Sequence, residues 1–218
     1  MRVERERGVR GVRRLRAGLV GLPTAWLLAG WLLAGPAAAQ APAAPGVATG
    51  PSVAQRLAVC AACHGPDGNA TLALSPSLAG QPKVFLENQL IVIREGLREI
   101  APMKGLLDGV SDADVVAMAQ HFTALTLKPQ PAPRRADAFA RGQALAARTQ
   151  CGSCHLPSYL GQQQMPRLAG QREDYLLHSM RQFRDGQAVG RDSIMASSLY
   201  GLKDNDLADL AHYLAQLQ

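Results

Sequence analysis

The sequence has few aromatic side chains, few cysteines and, beyond its N-terminus, little net charge. Phe, Trp and Tyr make up only 5% of its 218 residues, which leaves small domains with thin cores. Residues 1–39 hold seven arginines and two glutamates, whereas residues 40–218 carry 16 basic and 15 acidic side chains. The later residues therefore offer no basic patch to a nucleic acid. The sequence shows no sustained strand alternation, and we predict an all-α fold.

The N-terminus has the order of an export signal. Arginines in residues 2–16 precede an apolar run over residues 17–35, which is followed by Ala37, Ala38 and Ala39. We expect residues 1–39 to be a signal peptide cleaved after Ala39, which places the protein in the periplasm. An uncleaved anchor is the alternative, because the run is close to the roughly 20 residues of a spanning helix. Residues 40–51, rich in Ala and Pro, are predicted to be a flexible lead.

The remaining sequence contains two copies of one unit, offset by 90 to 92 residues. Cys60-Ala-Ala-Cys63-His64 recurs as Cys151-Gly-Ser-Cys154-His155, Pro76-Ser-Leu-Ala-Gly-Gln81 recurs as Pro166-Arg-Leu-Ala-Gly-Gln171, and Met103 recurs as Met195. The repeat predicts two homologous domains, at residues 52–127 and 137–218. Alternating prolines in residues 128–136 predict an extended linker between them.

Apolar spacing within each unit is helical. One predicted helix follows Pro82 and carries Leu86, Leu90, Ile93 and Leu97 at i, i+4, i+7 and i+11. A second begins at Ser111, with Asp114 completing a capping box. Corresponding apolar residues recur in the second unit, and a further helix is predicted before each cysteine motif.

Every cysteine of the chain belongs to a Cys-x-x-Cys-His motif. Such motifs serve zinc knuckles, thioredoxin-like dithiols or covalent c-type haem. A shared zinc ion would need the two pairs close together, and a redox dithiol would need a βαβ context that is missing. Haem attachment uses the whole motif, with Cys60, Cys63, Cys151 and Cys154 as thioethers and His64 and His155 as iron ligands. We therefore predict two covalently bound c-type haems, with a disulfide or zinc scaffold as the structural alternative.

The ligand on the far side of each iron decides the chemistry. Met103 lies 39 residues after His64, and Met195 lies 40 residues after His155. Since a Met/His pair closes the iron to outside ligands, this paired position predicts electron transfer rather than catalysis. Met118 and Met180 lie on apolar helix faces and are predicted to be core residues. A carbonyl of either Pro-x-Leu-Ala-Gly-Gln segment is a candidate acceptor for the other ring N–H of the histidine, and an ordinary turn is the alternative.

These motifs, from Cys60-Ala-Ala-Cys-His-Gly-Pro-Asp-Gly to the second unit's copies, resemble the two-haem class I cytochromes c of the "c-four" group. The resemblance covers residues 52–218 and implies two tandem helical cytochrome domains with His/Met haems. It also implies a single-electron carrier, not an enzyme, between a quinol-oxidising complex or dehydrogenase and a terminal oxidase. The second motif continues His155-Leu-Pro where the family has glycine, so we expect unequal surroundings for the two haems.

Two other functions fit the same sequence. The chain could be the cytochrome subunit of a specific periplasmic dehydrogenase, or a peroxidase or gas-binding protein with one open iron. In every case we expect redox protein partners, no nucleic acid, and membrane contact only through partners or an uncleaved signal. The sequence leaves the oligomeric state open.

Overall fold

The computed structural model describes residues 50–128 and 133–218. The predicted signal peptide, almost all of the predicted lead and residues 129–132 of the predicted linker lie outside these ranges. Within them the chain is helical, and its only extended pairing is an isolated bridge between Gln162 and Met165. The predicted all-α fold is confirmed. None of the described helices combines the length and apolar character needed to cross a bilayer.

Residues 50–128 are called the first half below, and residues 133–218 are called the second half. The first half contains three α-helices and a short 3-10 turn. They are α1 (Val53–His64), α2 (Lys83–Arg94), the 3-10 turn (Ala101–Met103) and α3 (Asp112–Ala124). The predicted capping box between Ser111 and Asp114 begins α3. This helix packs against α1 and α2 and buries Met118 as predicted. The buried core is small and divided into two clusters.

The second half contains five helices around a larger core. They are α4 (Ala136–Arg148), α5 (Gly152–His155), α6 (Glu173–Arg184), α7 (Ser193–Leu199) and α8 (Asp204–Ala215). Helix α8 packs against α4 and α6. Gly142 permits the close approach of α4 and α8, because a Cβ atom there would lie 2.2 Å from the Asp209 carbonyl oxygen. Met180 is buried, as predicted.

Helix α2 ends earlier than the apolar spacing predicts. It stops at Arg94, and Gly96 follows with a φ of +68°, a conformation that favours glycine. Leu97 therefore lies outside the helix and is 60% exposed, so its predicted place on the apolar face is wrong. The chain turns here to begin the loop that carries Met103.

Candidate haem-binding sites

Each cysteine motif lies where a helix ends. In the first half Cys60, Cys63 and His64 occupy the last turns of α1, and the i, i+3, i+4 spacing places all three on one face. In the second half the helix is interrupted after Arg148, and the motif falls on the separate short helix α5. Both arrangements bring two cysteines and a histidine together within one or two helical turns.

The sulfur atoms are available for bonding to a cofactor. None of the four cysteines forms a disulfide. Cys60 packs against both apolar clusters of the first half, Cys151 packs against the core of the second, and Cys154 is exposed. Burial raises the pKa of the Cys60 thiol. Over residues 50–128 and 133–218 no three His, Cys, Asp or Glu side chains are grouped so that they could hold a metal ion.

The two motif histidines are held in the same way. The Nδ1–H of His64 donates to the Pro76 carbonyl oxygen at 2.8 Å, and that of His155 donates to the Pro166 carbonyl oxygen at 2.9 Å. A carbonyl can only accept, so Nδ1 carries the proton and Nε2 keeps a free lone pair. Burial lowers the pKa of both imidazoles and outweighs the opposite effect of the carbonyl bond. Both rings are thus neutral and oriented, as a metal ligand requires.

The loop after each motif keeps one backbone conformation despite different side chains. Gly65 and Leu156 both have positive φ, at +79° and +68°, and so do Gly68 and Tyr159, at +73° and +56°. The carbonyls of Gly68 and Tyr159 accept corresponding pairs of backbone N–H bonds from the Pro-x-Leu-Ala-Gly-Gln segments. The altered sequence after His155 therefore leaves the loop that positions Pro166 intact.

Tyr159 makes the surroundings of the second motif different. Its buried ring meets the Tyr213 ring edge-on at 5.8 Å, at a position where the first half has a glycine. Burial raises the pKa of Tyr159 to about 12, with smaller contributions from Tyr213 and Cys151, so the phenol is neutral at physiological pH.

Met103 and Met195 lie in corresponding segments, here called the methionine loops, which run over residues 95–111 between α2 and α3 and residues 185–203 between α6 and α8. Met103 ends the 3-10 turn and packs against the same apolar cluster as Cys60. Met195 lies on α7, which forms part of the second methionine loop, and packs against the same cluster as Cys151. Each methionine is half-buried and shares its apolar cluster with the first cysteine of its own motif.

Two arginines that the sequence analysis missed close these methionine loops. Arg94 donates to the Val110 carbonyl at 2.9 Å and to Asp112 at 2.8 Å. Arg184 donates to the Leu202 carbonyl at 3.3 Å and to Asp204 at 2.6 Å. Their repeat, at the last residue of α2 and of α6, was the available sequence signal.

The two halves are joined by polar contacts that the sequence analysis also missed. Gln81 bonds to the backbone of Arg167, and Gln171 bonds to the backbone of Ser77. Both glutamines close a repeated Pro-x-Leu-Ala-Gly-Gln segment, so each half contributes the same residue to the other. The described residues of both halves belong to one compact unit.

The other histidines have ordinary structural positions. His121 and His178 are exposed. His212 is buried, and both its ring nitrogens are bonded within the second half: Nε2 accepts from the Arg135 backbone N–H at 3.0 Å, and Nδ1 donates to Glu173 at 2.8 Å. His212 lies in the core of the second half, and neither of its ring nitrogens is free to bind iron.

The residues present fit a covalently attached haem in each half. Two thiols, an oriented neutral imidazole and a thioether that packs on the same apolar cluster constitute the donor set of a c-type haem. Among the described residues, the Nε2 atom of His155 is buried and has no hydrogen-bond partner, an arrangement that an iron ligand explains and an ordinary core histidine does not.

Comparison with known proteins gives matches in both halves. The family model described as "Cytochrome c" matches residues 139–218, and "Cytochrome C oxidase, cbb3-type, subunit III" matches residues 45–122. Cytochrome c4 of Pseudomonas aeruginosa is 32% identical over 171 residues, covering 74% of this chain and 85% of the relative. A thiosulfate dehydrogenase electron acceptor of Thiomonas intermedia is 32% identical over 169 residues, covering 72% and 78%.

Solved structures agree. Reduced recombinant cytochrome c4 from Pseudomonas stutzeri has a TM-score of 0.68 and 29% identity, covering 78% of this chain and 100% of that chain. Thiosulfate dehydrogenase (TsdBA) from Marichromatium purpuratum has a TM-score of 0.64 and 29% identity, covering 73% of this chain but 36% of that one. The protein carries two covalently bound c-type haems in two cytochrome c domains. This chain belongs to the cytochrome c4 family of dihaem class I cytochromes.

Proposed function

We propose that this dihaem electron carrier works in the periplasm and passes single electrons from a quinol-oxidising complex or a dehydrogenase to a terminal oxidase. The observation that carries the proposal is the equal placement of His64 and His155, each oriented by a proline carbonyl and each paired with a methionine loop. Two sites with the same donor residues suit two successive steps of one electron-transfer path. In a protein with one open iron, one half would lack the methionine that the other half has.

The residues that hold each haem have distinct roles. Cys60, Cys63, Cys151 and Cys154 would form the thioether links, and His64, His155, Met103 and Met195 would supply the ligands to the two irons. A bound haem would supply a one-electron iron couple. The protein keeps the imidazoles neutral, offers a thioether sulfur that would close each iron to outside ligands, and packs apolar side chains around the site so that little would reorganise when the iron changes charge.

The location rests on the N-terminal pattern. Arginines, an apolar run and an Ala-x-Ala ending over residues 1–39 are typical of a segment that directs export. Covalent haem attachment consumes all four thiols, so an oxidising compartment leaves none to form a stray disulfide. N-terminal sequencing of the mature protein tests this, with Gln40 expected as the first residue.

Carbon monoxide binding tests the ligand assignment. The reduced wild-type protein should bind none, because sulfur closes both irons, whereas Met103→Ala and Met195→Ala should each bind one equivalent. Met165→Ala is the matched control, since this methionine lies in the second half but has no counterpart in the first, and it should bind none. Uptake by the wild type at either haem would contradict the proposal and favour the gas-binding alternative.

A narrower role is favoured by some of the relatives. Proteins named thiosulfate dehydrogenase electron acceptor are about 30% identical over most of this chain. As a second candidate function, the chain accepts electrons from a dehydrogenase of this kind. Purified thiosulfate dehydrogenase with thiosulfate should then reduce both haems in a stopped-flow experiment, and reduction only by a quinol-oxidising complex would reject this candidate.

A further inference from the structure

The hydrogen bond that orients each histidine continues into the other half of the protein. The Pro76 carbonyl that accepts from His64 belongs to the same peptide group as the Ser77 N–H. That N–H donates to Gln171 Oε1 at 2.8 Å, and Gln171 Nε2 donates back to the Ser77 carbonyl at 2.8 Å. Gln171 therefore fixes the peptide that holds the proximal histidine of the opposite half.

Gln81 makes the corresponding hydrogen bonds from the first half to the second. The Pro166 carbonyl that accepts from His155 shares its peptide group with the Arg167 N–H. This N–H donates to Gln81 Oε1 at 3.0 Å, and Gln81 Nε2 donates to the Arg167 carbonyl at 3.0 Å. Both glutamines are nearly inaccessible to solvent, with exposures of 3% for Gln81 and 2% for Gln171. Water therefore does not compete for these bonds.

We propose that Gln81 and Gln171 are positioning residues that act across the domain boundary, each setting the reduction potential of the haem in the other half. Hydrogen bonds in series polarise one another, so an acceptor on the Ser77 N–H makes the Pro76 oxygen a stronger acceptor for His64. A stronger acceptor at Nδ1 increases the basicity of the imidazole, which stabilises ferric iron and lowers the potential. The inference rests on His64 and His155 being the iron ligands of the proposed function.

The sign of the effect separates this role from simple loosening of the interface. Removing the glutamine amide weakens the carbonyl acceptor, so the potential of the opposite haem rises. A merely structural defect would admit water to the haem, stabilise the ferric charge and lower the potential. The location separates them as well, since a substitution in one half should act mainly on the haem of the other.

The experiment is a redox titration of the haem-bearing protein, followed by the paramagnetically shifted NMR resonances of each haem. Gln171→Met should raise the reduction potential of the His64 haem by about 28 mV, which corresponds to a change of about threefold in its one-electron reduction equilibrium constant. Gln81→Met should do the same to the His155 haem. Gln187→Met is the matched control, an exposed glutamine of the second half, and should move neither. A shift confined to the haem of the substituted half, an equal shift of both, or a fall would overturn the proposal.

The wild-type protein gives a second test that needs no variant to fold. The 15N shift of the Gln171 side-chain amide should change when the His64 haem is reduced, and that of Gln81 when the His155 haem is reduced. Amide shifts that follow the haem of their own half would reject the connection. Carbon monoxide uptake by the wild type would instead show that the ligand assignment has failed, so the two failures are distinguishable.

Discussion

Gly65 and Leu156 occupy corresponding positions with the same backbone conformation, but only one of them tolerates a side chain. A Cβ atom on Gly65 would lie 2.2 Å from the Asn69 carbonyl oxygen. That oxygen cannot easily move aside, because the Asn69 side chain is bonded to the Thr126 carbonyl at 3.1 Å and to the Lys128 N–H at 2.7 Å. We therefore expect Gly65→Ala to be severely destabilising and Leu156→Ala to be mild.

The magnitudes follow from the two costs. Gly65 and Leu156 combine a positive φ with ψ values of 151° and 156°, a region that costs an L-residue about 1–3 kcal/mol, and forcing a methyl group into a packed site adds about 1–3 kcal/mol. Gly65→Ala should therefore lower the free energy of unfolding by about 3 kcal/mol. Leu156 already bears the conformational cost in the wild type, so Leu156→Ala loses only part of a half-buried side chain, about 1 kcal/mol.

Urea unfolding of the haem-bearing variants measures both values, with the wild type unfolded in parallel. Haem absorption follows the site and circular dichroism follows the helices. If Gly65→Ala unfolds within about 1 kcal/mol of the wild type, or if Leu156→Ala costs as much as Gly65→Ala, then the close contact with Asn69 does not explain why glycine stands there.

Three further expectations concern charge, the methionine loops and a buried histidine. Burial opposes ionisation of Asp174, but the hydrogen bonds to its carboxylate outweigh burial and lower its pKa. The ionised carboxylate therefore stabilises the fold fully above the unfolded pKa of about 3.9, and this stabilisation is lost as the pH falls through the folded pKa. Asp174→Asn should flatten the acid side of a plot of urea midpoint against pH. Arg184→Met should release the loop of the second half, so that the methionine-to-ferric-iron charge-transfer absorption of that haem is lost at a lower temperature, whereas Arg94→Met should affect only the first haem. His212→Leu should cost about 1–3 kcal/mol in unfolding free energy, because the Arg135 backbone N–H and one oxygen of Glu173 lose their partner, while the other oxygen of Glu173 keeps its ion pair with Arg135. The exposed His121→Leu should change it by less than about 0.5 kcal/mol, and equal effects would contradict the burial argument.

The helical fold could be predicted from local signals in the sequence. Apolar spacing and the Ser111 capping box located α3, because a helix depends mainly on its own side chains and its first turn. The end of α2 was missed, since Leu97 continues the apolar period although the chain turns at Gly96. Apolar spacing alone does not reveal the end of a helix when an apolar residue follows the turn at the expected position.

The site could be predicted in part. The repeated motif identified the histidines, and the proline segments were correctly suspected of supplying the carbonyl acceptors. The contacts of Gln81 and Gln171 could not be predicted, because a repeat shows which residues correspond and not which half each one faces. A glutamine that bonds across an interface has the same sequence pattern as one that bonds within its own domain.

The repeated backbone and the unrepeated side chains together explain how two similar sites can differ. The histidine bonds are nearly equal in length, at 2.8 and 2.9 Å, so the ligand geometry gives little reason for different potentials. The surroundings do differ, because Tyr159 extends a continuous core beside Tyr213, whereas the first half has Gly68 and a core divided into two clusters. A denser apolar shell disfavours the ferric charge. The haem of the second half should therefore have the higher potential.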